Sequence, residues 1–194
     1  MSSLMGSLLA VAAAVCATVL AAAAHQPPLH MAVAGVAGLA LTFMAIRDRQ
    51  RLMFAGATTS AVASSTARHL GIVWAWAALA VAASYLLIIE ARWPEWWQFF
   101  IGFGFAAIAS FVFASMLDRD AAAGRGDDTL VKFGRLLVQV QIVGMAAGII
   151  SLFVDGKFPR AVNHADWAGC SIFFFGALAI AAISLDALRS PARV

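Results

Sequence analysis

The feature that most constrains this chain is a series of long apolar runs. Each is about as long as the roughly 20 residues a helix needs to cross the hydrocarbon of a bilayer. Six segments qualify: Leu4–Ala24, Pro28–Ile46, Leu70–Ile89, Trp96–Leu117, Leu136–Val154 and Ala168–Leu188. Of the 194 residues, 63% are hydrophobic and only 12% are charged. A soluble domain of this length has no interior large enough to hide so much apolar surface, so lipid is the natural solvent. The expected fold is all-α: one polytopic membrane helix bundle of six transmembrane helices over residues 1–194.

Charge supplies an orientation. The connections 47–69 and 118–135 and the tail after Leu188 hold ten of the thirteen Lys and Arg residues. The connections 25–29, 91–95 and 155–167 hold the other three: Arg92, Lys157 and Arg160. The positive-inside rule then places the basic set and both termini in the cytoplasm, in a cell membrane of the bacterial inner-membrane kind. Trp93, Trp96, Trp97 and Trp167 fall at the opposite boundary, where an amphipathic ring prefers to sit. Trp74 and Trp76 fall deeper than such a belt requires. The net charge of +3 is a topology signal here; no motif for nucleic acid accompanies it. The first apolar run also resembles a secretion signal ending at Ala22-Ala23-Ala24. Against that, Met1–Ser7 carries no positive side chain and the run is long for a signal core.

An internal rhythm recurs. Pro27 and Pro28, then Pro94, then Pro159 mark the three outer connections. Arg47, Arg119 and Arg189 close the even-numbered spans at intervals of 72 and 70 positions. Three αα-hairpins in one orientation account for this, although any six-helix protein with similar loops gives comparable spacing. The stretch 54–66, rich in Ala, Ser, Thr and Gly, reads as an extension of helix three or as an interfacial segment. Asp127-Asp128-Thr129 is a plausible cap that would start helix five before the bilayer.

No Asp, Glu, Lys, Arg or His falls at the centre of any span, which argues against a proton relay or ion-coupled pump. The polar groups inside are mild: Gln139 and Gln141 on helix five, Ser84 and Tyr85 on helix three, Ser110 on helix four. They read as interhelical hydrogen bonds or as the lining of a pathway. Gly144 with Gly148, and Gly102 with Ala106, are small-residue pairs of the kind that lets helices pack closely in lipid. Gly35 and Gly38 on helix two are further candidates. The phenylalanines at 99, 100, 103, 105, 111, 113 and 173–175 spread over several faces, as lipid or partner contacts would. Cys16 and Cys170, each within an apolar run, read as small hydrophobes and not as a disulfide.

His25, His30, Glu90, Glu95, His164 and Asp166 gather at outer helix ends. Imidazoles and carboxylates together can bind zinc, copper or haem, or respond to external pH, but none sits in a diagnostic ligand motif. His69 beside Arg68 reads as an interfacial anchor. No nucleophile setting marks an enzyme, and no cofactor is specified. Three functions follow. The first is a non-catalytic accessory subunit that packs against membrane-protein partners or copies of itself. The second is a transporter or channel component for a neutral or weakly charged small solute, similar only in size to the substrate-capturing subunits of energy-coupling-factor importers. The third is a metal- or haem-binding protein using His25, His30, His164, Asp166 and Glu95.

Overall fold

A computed structural model describes residues 3–87, 96–124, 128–154, 156 and 163–189. Arg92, Trp93, Pro94, Glu90, Glu95, Asp127 and Pro159 lie outside this set. The described residues form six helices and no strand: α1 (Ser3–Ala23), α2 (Pro27–Phe54), α3 (Thr59–Leu87), α4 (Trp96–Ala122), α5 (Asp128–Val154) and α6 (His164–Arg189). Five, α2 to α6, are long and apolar enough to cross a membrane. In α1 the described apolar stretch is Leu8–Ala23. The chain is a multi-pass membrane protein.

α2 to α6 all run past the expected spans, α6 by starting at His164 and not Ala168. α2 carries Arg47, Arg49 and Arg51 as continuous helix, and α3 starts at Thr59 where the apolar run begins at Leu70. Most of the 47–69 connection is therefore helical. Only a tight turn remains, closed by Gly56 at φ 68°, the left-handed conformation that ends a helix and suits glycine. α4 runs past Leu117 to Ala122, and α5 starts at Asp128, eight residues before Leu136.

α3 is the hub. Its longest pairing is with α4, and it also touches α6, α1 and α2. α2 lies along α6, and α5 leans chiefly on α6. The packing rule is an aromatic ring over a glycine. Phe111 of α4 covers Gly71 of α3, where a Cβ would sit 3.1 Å from the ring. Trp76, fully buried, covers Gly176 of α6. Phe175 of α6 covers Gly35 and Gly38 of α2, with its carbonyl oxygen 3.1 Å from where a Gly38 Cβ would be. Small residues inside and large ones outside is how helices associate where lipid removes the hydrophobic drive between them. Leu39, Phe43, Phe105, Val140 and Val143 accordingly point outward.

The aromatic residues sort by burial. Trp74 and Trp76, which fall deeper than a belt requires, are core residues. Phe103 and Phe173 are not outward contacts either; they join Trp74 in a ring cluster, with centroids 5.4 Å (Trp74–Phe103) and 6.2 Å (Phe103–Phe173) apart. Cys170 is buried, Cys16 is exposed on α1, and neither is in a disulfide.

One end of the bundle is tied by ion pairs. Arg49 of α2, buried, donates to Asp186 of α6 at 2.5 Å. Asp48 of α2 lies 3.3 Å from His69 Nε2 of α3, whose Nδ1 donates to the Ser65 carbonyl. Arg68 of α3 pairs with Asp118 of α4. Ser64 also reaches Asp118, and Ser60 donates to Asp120. The ties link α6, α2, α3 and α4. None of them includes α5.

Candidate functional site

Two places gather the polar side chains singled out from the sequence. The first is the end opposite the ion pairs. α1 closes on His25, which adopts φ 55°, a left-handed turn that histidine tolerates better than most residues. The turn brings its ring against His164, with centroids 4.3 Å apart and the planes tilted by 55°; His30 and His164 are 6.4 Å apart. His30 is fully buried, and neither ring nitrogen has a hydrogen-bond partner. The carbonyls of Ala21 and Ala22 are nearby without the geometry of a bond. Asn163 caps α6, its Oδ1 accepting from the Asp166 backbone N–H at 2.9 Å. The three histidines do come together. Even so, no group of three or more His, Cys, Asp or Glu among the described residues is placed to hold a metal ion.

The second place is a cleft of about 510 Å³ between α5 and the rest of the bundle, at the ion-paired end. α2 contributes Arg49 and Met53, α6 contributes Ala187 and Leu188, and α3 contributes the wall from Thr59 to Leu70. α4 adds Ala109, Ser110 and Phe113, and α5 presents Lys132, Arg135, Val138 and Gln141. Along α5 the stretch from Lys132 to Gln141 is about 14 Å at 1.5 Å per residue, so the cleft reaches near mid-bilayer. It exists because α4 and α5 barely touch. They meet where the Phe113 ring lies over Gly134, so close that a Cβ there would be 2.7 Å from it.

The wall is graded. Lys132 and Arg135, exposed at the mouth, have no ion-pair partner among the described residues, whereas Arg49 is neutralised by Asp186. Among the described residues, no Asp or Glu lines the cleft. The middle is apolar: Val62, Leu70, Phe113 and Val138. At the deep end Gln141 Oε1 is buried with no partner, an acceptor left open.

The polar residues named from the sequence divide between these surroundings. Gln141 and Ser110 line the cleft, but Ser110 donates back to the Ala106 carbonyl of its own helix and not to a neighbour. Gln139 faces outward on α5, and Tyr85 is half-buried. Ser84 is buried with its hydroxyl unpartnered. Gly102 and Gly144 meet nothing within 4 Å, so neither packs against another helix among the described residues. Gly148 lies one turn further along α5. Sequence reasoning missed the carboxylate partners of Arg49, Arg68 and His69. The available signal was that Asp48, Asp118 and Asp186 end all three even helices.

Comparison with known proteins finds no family, no curated protein and no solved structure that matches this chain.

Proposed function

We propose that this protein binds a small solute in the cleft beside α5, as a carrier or binding component in the membrane. One observation carries the reading: a cavity of about 510 Å³ with an apolar middle and a few convergent polar groups. Ligand sites are commonly about 300–1,000 Å³ and built this way. A bundle serving only as packing material would close such a gap. The ten-to-three distribution of basic residues supports an orientation with the cleft mouth and both termini in the cytoplasm, as in a bacterial inner membrane. The absence of ionisable residues at mid-span supports passive binding or a drive supplied by a partner over proton coupling.

The test is a thermal-stability panel on the purified chain in detergent, spanning sugars, amino acids, nucleosides and single-chain amphiphiles. At least one class should raise the melting temperature of the wild type and leave Val138→Trp, which fills the cleft, unmoved. Equal responses of the two proteins to every class would refute the reading.

A second reading, an accessory subunit or homo-oligomer, is favoured by the outer face of α5. Only 6% of its apolar window is covered, and Gly144 lies open on it. Companion chains or a second copy should then survive purification in mild detergent, and Gly144→Leu should release them. A clean monomer counts against it.

A further inference from the structure

We infer that the cleft takes an anionic amphiphile, with its charged head at Lys132 and Arg135 and its apolar tail between Val62, Leu70, Phe113 and Val138. This rests on the cleft being a binding site, as proposed above, and adds the chemistry of its occupant.

Charge complementarity sets the head. Lys132 and Arg135 are one turn apart on α5, line the mouth and lack any counter-ion among the described residues. The third cation of the wall, Arg49, is held by Asp186, and no carboxylate of the described residues shares the cleft. Two uncompensated cations at the edge of the hydrocarbon attract a carboxylate or phosphate, arginine being suited to grip either with two parallel bonds. Beyond the mouth the wall holds no further cation, and the hydroxyls of Thr66 and Ser110 already donate within their own helices. For roughly 9 Å along α5, from Arg135 to Gln141, it is dominated by apolar side chains, which suits a chain and not a sugar or a free ion.

Access sets the route. α4 and α5 meet narrowly at Phe113 and Gly134, and the rings of Phe113 and Phe133 lie 5.9 Å apart at the same seam. A tail can slip in sideways from the bilayer between these helices while the head stays at the interface. A polar solute would have to enter through the basic mouth alone. The same head-and-tail chemistry belongs to a membrane phospholipid and to a free fatty acid.

The experiment is native mass spectrometry of the full chain released from dodecylmaltoside micelles. The micelles are equilibrated separately with oleate, oleyl alcohol, dioleoylphosphatidylglycerol or inorganic phosphate. One oleate or one phosphatidylglycerol should be retained per chain, and the better retained of the two identifies the source. The uncharged alcohol should bind about ten-fold more weakly, and phosphate should not be retained. Lys132→Gln with Arg135→Gln changes only exposed side chains, so the melting temperature should hold. That double variant should cost the anionic ligands about ten-fold and leave the alcohol unchanged. Equal retention of oleate and its alcohol, or no effect of the double variant, overturns the inference. If Val138→Trp or Ala63→Leu still expels the amphiphile in that case, the binding cleft stands and only its anionic selectivity falls. If no variant alters retention, the amphiphile is not in the cleft and both ideas fall. Phosphate retained as strongly as oleate also overturns the inference, in favour of a simple anion site.

Discussion

α3 and α5 are apolar helices of 29 and 27 residues, and they occupy opposite situations. Sixty-one per cent of the apolar window of α3 is buried, against 6% for α5. Bulk hydropathy does not separate them, since both are apolar enough to cross. What separates them is the size of the side chains. α3 buries Gly71, Ala67, Ala77, Ala78 and Ala80, which let neighbouring backbones approach. α5 carries Phe133, Leu136, Val140, Val143 and Ile150 on its outside, and holds Gly134 against a single ring. In lipid, small residues decide which helix becomes the hub. α3 is also tied by ion pairs at its end, and among the described residues α5 is not.

Several measurements would break or sharpen this contrast. The largest effect belongs to the buried end of the clamp. Asp186→Asn leaves the Arg49 guanidinium buried without its charge partner and should cost about 3 kcal/mol or more in a detergent unfolding titration. Lys132→Gln on α5, which has no ion-pair partner among the described residues, should leave that titration unmoved. Next comes crowding. Gly71→Leu must displace Phe111 and should cost about 1–3 kcal/mol, whereas Gly144→Leu, with open space around it, should stay within about 0.5 kcal/mol for the isolated chain. Equal losses at the two glycines would mean that α5 is packed as closely as α3. A smaller effect is expected at Arg68–Asp118, where both side chains are nearly half exposed. Arg68→Gln should cost less than about 1 kcal/mol, and part of that should vanish in high salt. Smallest of all, and read by chemistry and not by stability, a lipid-soluble thiol reagent should modify exposed Cys16 well before buried Cys170.

The helices were legible in the sequence because crossing a bilayer imposes a length, and length survives any ambiguity of packing. Their ends were less so. Hydropathy stops at Ile46 and resumes at Leu70, but helix does not, because Arg49, His69, Ser60 and Ser64 find partners on other helices. Those partners lie between 21 and 137 positions away, beyond any local pattern. His69 looked like an anchor to headgroups for the same reason. The glycines show the limit from the other side. Gly144-x-x-x-Gly148 and Gly102-x-x-x-Ala106 fit the packing motif, yet a motif names a surface on which helices can meet and not the helix that meets it. Gly71, within Ala67-x-x-x-Gly71, and Gly176, with no such motif, are where the rings insert. Of the candidate site, Gln141 was legible as a polar group that must be accounted for in hydrocarbon. Its place in a cleft depended on α5 standing apart, and hydropathy alone does not say so.

The separation of α5 is therefore the claim to test. Val138 faces the cleft and Val140, 61% exposed, faces outward, at nearly the same depth on the same helix. Single cysteines should be placed at each in turn, Val138→Cys and Val140→Cys, in a background with Cys16 and Cys170 replaced by serine. Both proteins are reconstituted in bilayers and exposed to a charged maleimide at the basic end. The account predicts that V138C, reached through the mouth between Lys132 and Arg135, reacts at least about ten-fold faster than V140C, which faces dry hydrocarbon. Equal rates, or a faster V140C, would mean that no cleft separates α5 from the bundle.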